Sequence, residues 1–332
     1  MKLKLLQWLM CPRDGGHLEL ADEKKEHSEI ESGTLKCATC DARYPVVRGV
    51  PRFVRSDDYA SSFGLQWNRY AEVQLDSRNG TRFSHQRFYT ITEWLPPTLN
   101  KRLVLDIGCG AGRFAAIALG DGAEVVGVDL SSAVDAAYKN LGSHPRFHCL
   151  QASVYELPLA DATFDYAYCI GVIQHTPDPQ HAVQNILPKI KVGGRVGFWI
   201  YELNWKAFVG TVGFKYLLRP VTRRLGFRKT ERFATCLERL FWPINRWARR
   251  HGIIGKFVMR ILPVSCAHLH SVPLSEGNFR EWVRLDTLDM YSPAHDHPQT
   301  FAGVKAWLEE SNFTVDPRHP HGGISITAQR LN

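Results

Sequence analysis

The sequence predicts an α/β protein built on a doubly wound, mostly parallel sheet. Five apolar segments of strand length alternate with segments of helical character, and glycine or proline marks most boundaries between them. Strands buried on both faces are continuous apolar runs, and parallel strands need helical crossovers to connect them. The five predicted strands are 102–107, 123–129, 146–153, 164–171 and 195–201.

Helices are predicted between these strands and after them. One begins at Arg113, directly after a glycine-rich turn. Another begins at Pro179, because proline is tolerated in the first turn of a helix, and is predicted to continue to the glycine pair at 193–194. The last two predicted elements are an amphipathic helix at 300–311 and a strand at 322–331.

Changes of composition divide the chain into five parts. Cysteines and charged residues mark the first part, aromatic residues the second, and the strand–helix alternation the third. The predicted parts are a small cysteine-bearing unit at 1–56, a helical linker or cap at 57–100, the core of the sheet at 101–203, a basic helical insertion that acts as a substrate lid at 204–295, and the C-terminal part of the core at 296–332.

Positive charge is concentrated in the insertion. The chain has a formal net charge of +8, but residues 204–262 contain 14 lysines and arginines against two acidic residues, a local net charge of +12. The rest of the chain therefore has a net charge of −4. The positive charge therefore belongs to one segment, which needs an explanation of its own.

The composition predicts a cytoplasmic protein. Of eight cysteines only Cys37 and Cys40 form a CxxC pair, which indicates a reducing compartment. The apolar run near the start is too short for the core of a signal peptide, and no segment approaches the ~20 apolar residues that span a bilayer.

The segment LVLDIGCGAGRF at 103–114 predicts a nucleotide-like ligand. Its glycines follow the first strand and open a helix, where bare backbone lets a ligand approach the helix N-terminus. Arg113 stands where a dinucleotide fingerprint needs its third small residue, and no Lys-Ser/Thr pair of a P-loop follows. Both common phosphate-binding alternatives are therefore disfavoured.

Two carboxylates further restrict the chemical class of the ligand. Asp106 lies at the end of the first strand, where it would repel a phosphate but suit an ammonium group. Asp129 ends the second strand, where a carboxylate can accept two hydrogen bonds from a ribose diol. A ligand with ribose, adenine, a cationic sulfur and an amino group satisfies both.

At this point the chain resembles the class I S-adenosylmethionine-dependent methyltransferases. The matching segments are LDIGCGAG (105–112), VVGVD (125–129), QASVYELPLADATFDYAYC (151–169), VIQHTPDP (172–179) and the KVGG turn before the fifth strand. The resemblance covers residues 101–202 and resumes near 290–332. It implies a Rossmann-like sheet of seven strands and S-adenosylmethionine as the cofactor.

The resemblance also implies the cofactor-binding residues. Asp129 would hold the ribose hydroxyls, and Leu130 and Val154 would enclose the adenine. Ser153 stands where the family usually has an acid that accepts from the adenine amine, so a hydroxyl would take that role. Gly108, Gly110 and Gly112 would line the methionine part, and Asp106 would help to hold its amino group. Cys109 and Cys169 are further expected cofactor-binding residues.

Methyl transfer to a hydroxyl needs a proton acceptor. His175, in the loop after the fourth strand, is the first candidate, because that loop faces the methyl group in this fold; its structural alternative is a histidine that bridges loop backbone. Tyr201 and Glu202 are further candidates. The Asn/Asp-Pro-Pro-aromatic segment common in enzymes that methylate base amines is absent after strand four, which disfavours a nucleic-acid base as acceptor.

Residues 11–51 resemble the small zinc-ribbon-like unit of some methyltransferases and their activator proteins. Asp14 stands where the second cysteine is expected. Because zinc accepts carboxylate oxygen, the predicted ligands are Cys11, Asp14, Cys37 and Cys40, with His17 as the alternative fourth ligand. The other interpretation is a ribbon that has lost its metal.

In the insertion, one helical face is predicted to be apolar, and Pro243 is predicted to kink or break the helix. Three interpretations follow: a lid packed on the core, a peripheral membrane contact through 204–262, and an RNA-binding face. Tryptophan and phenylalanine beside arginine favour the membrane. The predicted apolar face comprises Phe233, Leu237, Leu240, Phe241 and Ile244.

The sequence therefore predicts a methyltransferase that acts on a hydroxyl of a small or lipid-linked molecule, of the surface-glycan or secondary-metabolite type. It would be cytoplasmic, with a peripheral contact at the inner membrane face. The alternatives are an RNA methyltransferase guided by the ribbon and the basic insertion, with nucleic acid disfavoured as a partner, and a non-catalytic binding module that keeps the fold.

Overall fold

The computed structural model describes residues 1–26, 29–54, 60–203, 211–318 and 322–332. The predicted boundary at 56/57 lies outside the described residues, and the boundary at 203/204 lies at the edge of a described range.

The N-terminal unit is a four-stranded antiparallel sheet in the order β1-β2-β3-β4. A short 3₁₀-helix at Leu3–Trp8 precedes it. The charged segment between the cysteines forms a long hairpin, in which buried apolar residues such as Ile30 and Leu35 face the core. The strands are β1 (Leu18–Glu26), β2 (Glu29–Cys37), β3 (Arg43–Val47) and β4 (Val50–Pro51).

The predicted seven-stranded sheet is confirmed. Its strand order is β10-β11-β9-β8-β5-β6-β7; the five strands from β9 to the edge strand β7 are parallel, and β11 pairs antiparallel with both β9 and β10. Among the described strands of this sheet, only the short β10 is missing from the sequence prediction. The strands are β5 (Leu103–Ile107), β6 (Glu124–Asp129), β7 (Phe147–Gln151), β8 (Phe164–Ile170), β9 (Ile190–Ile200), β10 (Phe313–Val315) and β11 (Ile324–Arg330).

Both faces of this sheet are covered, which explains why its strands are apolar throughout. Alternate residues of one strand serve opposite faces: Val104 packs with the helices α3, α4 and α5, whereas Leu105 packs with α6, α11 and the N-terminal unit. The helices outside the insertion are α1 (Ser61–Arg69), α2 (Asp76–Asn79), α3 (Phe83–Thr92), α4 (Arg113–Gly120), α5 (Ala133–Leu141), α6 (Pro179–Ile186) and α11 (Phe301–Glu309).

The predicted extent of α6 was wrong. The helix ends at Ile186, and a 3₁₀ turn that contains Pro188 leads into β9, so that the glycine pair at 193–194 lies inside the strand. Pro188 cannot continue the helix because it has no N–H to donate. The glycines form an irregularity in β9, because Phe164 pairs with Ile190 while Tyr166 already pairs with Arg195.

The insertion folds as a helical layer with a core of its own. Trp282 and Phe279 are fully buried there, together with residues of the segment that follows α1. In the described parts of the chain, no helix is both long enough and apolar enough to cross a membrane. The helices are α7 (Thr211–Leu225), α8 (Phe227–Ala248), α9 (Gly252–Arg260) and α10 (Glu276–Tyr291).

The break predicted for α8 at Pro243 was wrong. The helix runs unbroken through Pro243, whose missing N–H removes one intrahelical bond, to the carbonyl of Arg239, an exposed residue. The buried face is also different: Glu238 is 1% exposed and is paired with two arginines of α10, whereas Leu240 is 69% exposed. Pairing with α10 thus decides how the helix is rotated.

Candidate functional site

A cavity of about 770 Å³ opens at the carboxyl ends of the central strands. The turns after β5, β6 and β8 form its floor, which is where ligands bind in open parallel sheets. Helices α1 and α3 close one side, and α7 and α10 of the insertion close the other. The insertion is therefore part of the wall of the site.

The glycine turn has the predicted bare surface. Gly108 and Gly110 have φ angles of +74° and +52°, a conformation that residues with a Cβ rarely adopt. A Cβ on Gly108 would also lie 2.3 Å from the side chain of Val172. A Cβ on Gly110 would lie 3.4 Å from the indole of Trp67, which forms the opposite wall.

Asp129 ties this turn to the next one. Its Oδ2 accepts the N–H of Gly110 at 3.0 Å, and its Oδ1 accepts the N–H and the hydroxyl of Ser131 at 2.9 and 2.7 Å. Burial raises the pKa of Asp129, and these hydrogen bonds oppose that shift. The carboxylate lines the cavity, where an oxygen with one partner can still accept from a ligand hydroxyl.

Six predicted cofactor residues lie on the cavity wall, and four do not. Gly112 packs toward α5, where a Cβ on it would lie 2.6 Å from the side chain of Leu141. Asp106 is buried behind the glycine turn near the hydroxyl of Tyr168, and burial raises the pKa of its carboxyl to about 7. The hydroxyl of Ser153 accepts the N–H of Tyr155 at 3.2 Å, and Cys169 points into the core on the opposite face of β8. Those on the wall are Gly108, Cys109, Gly110, Asp129, Leu130 and Val154.

The N-terminal unit supports the wall at Leu130. The carbonyl of Leu130 accepts the side-chain amide of Gln151 at 2.8 Å, and the amide oxygen of Gln151 accepts Nη1 of Arg52 at 3.0 Å. Arg52 also pairs with Asp135 of α5 at 2.6 Å. The turn that follows β6 is therefore braced from the ribbon side.

His175 lines the cavity, and one of its ring nitrogens has no hydrogen-bond partner among the described residues. The residue is 5% exposed, and its Nδ1 lies 3.0 Å from the carbonyl oxygen of His295. A carbonyl can only accept, so Nδ1 carries the proton and Nε2 is left as an acceptor. Nε2 is buried without a hydrogen-bond partner among the described residues, and burial lowers the pKa of His175 to about 4.

The two other predicted acid–base residues are Tyr201, which is a protonated phenol, and Glu202, which is held in an ion pair. Tyr201 lines the cavity with the ammonium of Lys215 at 4.6 Å from the centre of its ring, and burial raises its pKa well above the usual value. Its hydroxyl therefore stays protonated and can only donate or accept hydrogen bonds. Glu202 lines the mouth and is paired with Arg318 at 2.5 Å.

Two arginines that the sequence did not assign to the site lie in the cavity wall. Arg87 stacks over Trp199 at 4.4 Å. Arg113 donates to Ser84 and Gln74 at 2.9 Å each, while its Nη2 is buried with no hydrogen-bond partner in the described structure. Within the described ranges neither guanidinium has a carboxylate within 4.0 Å. Arg113 ends the glycine-rich segment, but no local motif contains Arg87, and the two residues come together only because helices α3 and α4 meet in the folded chain.

Helix α10 adds polar groups at the insertion end of the cavity. Asp289 accepts the side-chain amide of Gln66 at 3.1 Å, and burial raises its pKa to about 6. Asp286 is held by His268 at 2.8 Å and by Gln74 at 3.2 Å. This end can receive hydrogen-bond donors of a second ligand.

The cysteine cluster is assembled as predicted. The ligand atoms of Cys11, Asp14, Cys37 and Cys40 all lie within 4.8 Å of one another, and the three cysteines carry free thiols. The sulfurs of Cys11 and Cys40 are 3.7 Å apart. Three sulfurs and one carboxylate oxygen are a donor set that tetrahedral Zn²⁺ accepts. His17, the alternative ligand, is not part of this group.

Comparison with known proteins agrees with this geometry. The family described as "Methyltransferase domain" matches residues 105–198, and the family described as "Trm112p-like protein" matches residues 2–49. The chain is 30% identical over 176 residues to the ubiquinone biosynthesis O-methyltransferase of Coxiella burnetii, an alignment that covers 52% of this chain and 70% of that protein.

Two further proteins are similar to parts of this chain. The ubiquinone biosynthesis O-methyltransferase of Pectobacterium carotovorum is 28% identical over 208 residues, covering 58% of this chain and 76% of that protein. Among solved structures, the magnesium protoporphyrin IX methyltransferase of Synechocystis, with S-adenosylhomocysteine bound, aligns with a TM-score of 0.46 and 14% identity over 82% of this chain and 97% of that one. The chain belongs to the class I S-adenosylmethionine-dependent methyltransferases and carries a Trm112-like zinc-ribbon unit at its N-terminal end.

Proposed function

We propose that this enzyme methylates a hydroxyl oxygen of a small or lipid-linked acceptor. The observation that carries the proposal is His175, a residue of the cavity wall whose neutral Nε2 has no hydrogen-bond partner among the described residues. A hydroxyl nucleophile must lose its proton as the methyl group arrives, and a neutral histidine can take it.

S-adenosylmethionine supplies a methyl carbon already activated by the sulfonium, so the chain has to align the two reactants and keep water out. In the proposal the glycine turn holds the methionine part, Asp129 the ribose, and Leu130 and Val154 the adenine. The carboxylate of the methionine part needs a cation, and two arginines on the same wall have no acidic partner in the described ranges. These are Arg87 and Arg113, while Asp106, Ser153 and Cys169 would act from behind this wall.

His175 would act as the base from its anchored position. Its Nδ1–H stays bonded to the carbonyl of His295, which holds the ring orientation while Nε2 takes the proton. Nearby Asp296 favours the protonated ring, whereas Lys215 disfavours it. Tyr201, protonated throughout, would orient the acceptor by hydrogen bonding, and Glu202 would remain paired at the mouth.

The acceptor would be held between aromatic walls and a polar end. Phe63, Trp199 and Tyr201 provide the aromatic walls, and Asp289 provides an acceptor for a second donor group. The names of the relatives support O-methylation of a ubiquinone-type precursor, and an acceptor of the surface-glycan or secondary-metabolite type shares the same chemistry. A basic insertion also fits an RNA acceptor, which turnover assays with RNA would reveal.

We also propose that the cysteine cluster holds one structural Zn²⁺. The four donor atoms converge between two turns of the ribbon, and backbone N–H groups of Thr39 and Cys40 approach the Cys37 sulfur at 3.4 and 3.5 Å. Such N–H contacts stabilise a thiolate, the form in which cysteine binds metal.

Asp129→Ala should weaken the binding of S-adenosylhomocysteine by about 1.5–3 kcal/mol, the range for hydrogen bonds to a charged group. Titration calorimetry measures this directly. Asp161→Ala is the control, because Asp161 is an exposed surface residue paired with Lys189. Unchanged affinity in Asp129→Ala would contradict the ribose assignment.

Arg87→Gln should lower the affinity for S-adenosylhomocysteine about tenfold or more, since a charge-assisted hydrogen bond to the carboxylate is lost. Binding of 5′-methylthioadenosine, which lacks the amino-acid part, should stay unchanged. Arg82→Gln, at the exposed start of α3, is the matched control. Equal loss for both ligands would show that Arg87 supports the fold of the cavity rather than the carboxylate.

His175→Ala should lower turnover about a hundredfold or more while cofactor affinity is retained. Labelled S-adenosylmethionine with a panel of phenolic, polyprenyl-linked and RNA acceptors provides the assay, and the exposed His181→Ala provides the control. Because burial lowers the pKa of His175, the neutral form persists below the ordinary pH 6.5, so its protonation should limit the wild-type rate only toward pH 4. Near-native turnover of His175→Ala would exclude it as the base.

The purified protein should contain about one zinc per chain, lost in the double variant Cys37→Ser/Cys40→Ser. Elemental analysis of protein never exposed to chelator measures it, with the buried Cys266→Ser, which lies outside the cluster, as the control. Zinc below about a tenth of an equivalent would show that the ribbon folds without metal.

A further inference from the structure

The insertion exposes apolar side chains on three successive helices. Ile253 is 89% exposed and Leu217 is 71% exposed, values that are unusual for large aliphatic residues in such number. Within α7 and α8 these residues recur at intervals of three or four, and in α9 the adjacent pair Ile253 and Ile254 is followed by Phe257 and Ile261 at such intervals, so the residues of each helix share one face. We call this set the apolar patch; it comprises Phe214, Leu217, Val221 and Leu225 of α7, Leu240, Ile244 and Trp247 of α8, and Ile253, Ile254, Phe257 and Ile261 of α9 and its end.

The patch differs from the apolar face that the sequence predicted. Of the five predicted residues only Leu240 and Ile244 are among the exposed ones, while Leu237 and Phe241 pack into the core of the insertion. The exposed residues of α7 and α9 have no partner within the described part of the chain that would bury them. Their exposure is therefore a property of the folded insertion.

The three helices of the patch are neighbours. The hydroxyl of Thr211, at the start of α7, donates to the carbonyl oxygens of Arg260 and Leu262 at the end of α9, both at 2.8 Å. Helices α8 and α9 pack so closely that a Cβ on Gly255 would lie 1.8 Å from the carbonyl oxygen of Ala248. These contacts hold the start of α7 against the end of α9, and α9 against α8.

Basic side chains accompany the patch. Arg250, Lys256 and Arg260 are exposed beside its α9 residues, and within the described ranges none of them has a carboxylate within 4.0 Å. Arg246 is also exposed and reaches only one acidic partner among the described residues, Glu276, at 3.9 Å. Apolar residues flanked by unpaired positive charges are the arrangement that binds the interface of an anionic lipid bilayer.

Helix α7 connects the patch with the cavity. Its residues Thr211, Val212 and Lys215 line the cavity, whereas Leu217 and Val221 lie on its exposed face. Leu203, 55% exposed at the end of the core segment, lines the same mouth. An apolar chain leaving the bilayer at the patch would thus meet the cavity after one helix diameter, about 10 Å.

We infer that the apolar patch seats the enzyme on an anionic membrane surface, with the cavity mouth facing the lipid. The inference that an acceptor enters from the bilayer rests on the proposed function; the membrane contact itself does not. The arginines and lysines could bind the phosphates of RNA, but RNA would leave the isoleucines and leucines of the patch exposed to water. An anionic bilayer accommodates both the basic and the apolar side chains, whereas RNA accommodates only the basic ones.

Co-sedimentation of the full chain with vesicles tests the contact. The wild type should bind vesicles of phosphatidylcholine with about 30% phosphatidylglycerol and bind phosphatidylcholine alone weakly, because both apolar burial and charge contribute. Ile254→Gln/Phe257→Gln should reduce binding to the anionic vesicles at least about tenfold. Leu95→Gln, which replaces an exposed leucine (68%) outside the insertion, should bind like the wild type.

A charge variant separates the two contributions. Arg250→Gln/Lys256→Gln should weaken binding to anionic vesicles and make that binding less dependent on salt concentration. Binding to neutral vesicles should be unchanged. Because every replaced residue is exposed, circular dichroism and the thermal unfolding midpoint should match the wild type and verify folding in each variant.

Three results would overturn the inference. The first is a wild type that is not retained by anionic vesicles at low salt. The second is equal retention of the wild type and Ile254→Gln/Phe257→Gln. The third is binding of another partner in the absence of vesicle binding. A patch-dependent dimer in gel filtration would assign the patch to a second copy of the chain, and salt-dependent retention of RNA would assign it to RNA.

Binding of S-adenosylhomocysteine and turnover on a water-soluble phenol separate this inference from the proposed function. Both should be unchanged in Ile254→Gln/Phe257→Gln, while turnover on a vesicle-embedded polyprenyl phenol falls. If the wild type does not bind S-adenosylhomocysteine, the proposed function is contradicted, while the vesicle result still stands. Equal turnover of wild type and variant on the vesicle-embedded acceptor would overturn delivery from the membrane.

Discussion

The carboxylate of Asp129 holds together the two turns on which the cofactor site depends. It accepts from Gly110 in the turn after β5 and from Ser131 in the turn after β6, so that neither turn can move without breaking a buried hydrogen bond. The carbonyl of Val128 adds a second link, because it accepts the N–H groups of Gly108 and Cys109 at 2.7 and 3.1 Å. Burying a carboxylate costs folding free energy unless the carboxylate accepts hydrogen bonds. The hydrogen bonds that shape the site therefore also stabilise the fold.

The Trm112-like unit is structurally continuous with the methyltransferase core. Its buried residues belong to the same apolar cluster as one face of the large sheet, and Arg52 reaches through Gln151 to the turn at Leu130. The ammonium of Met1 donates to the carbonyl of Ile30 and lies 3.3 Å from the hydroxyl of Tyr138 on α5. The ribbon therefore braces α5 and the turn before it, whose residue Leu130 lines the cavity.

The insertion builds the remaining wall with buried charge. Lys215 and Arg219 both pair with Asp296 at 2.6 Å, and Glu238 is held by Arg280 and Arg284 at 2.7 and 2.8 Å. Pairs of this kind contribute little net stability, but removing one partner leaves an uncompensated buried charge. They consequently fix the relative rotation of α7, α8 and α10, and with it which faces line the cavity and which remain exposed.

The sequence by itself determined the parallel sheet, the glycine turn, Asp129 and the cysteine cluster, because each depends on residues close together in the chain or on strand ends that a parallel sheet must bring to one edge. Only the tertiary structure decided that Asp106, Ser153 and Cys169 lie behind the cavity wall and that Arg87, Arg113 and Asp289 lie on it. It also decided the rotation of α8. Glu238 is buried because Arg280 and Arg284 of α10 donate to its carboxylate, and this pairing, rather than the apolar residues of α8, determines which face of the helix is buried. Which side of a strand or helix faces a ligand is set by packing against distant segments, and that information is not local in the chain.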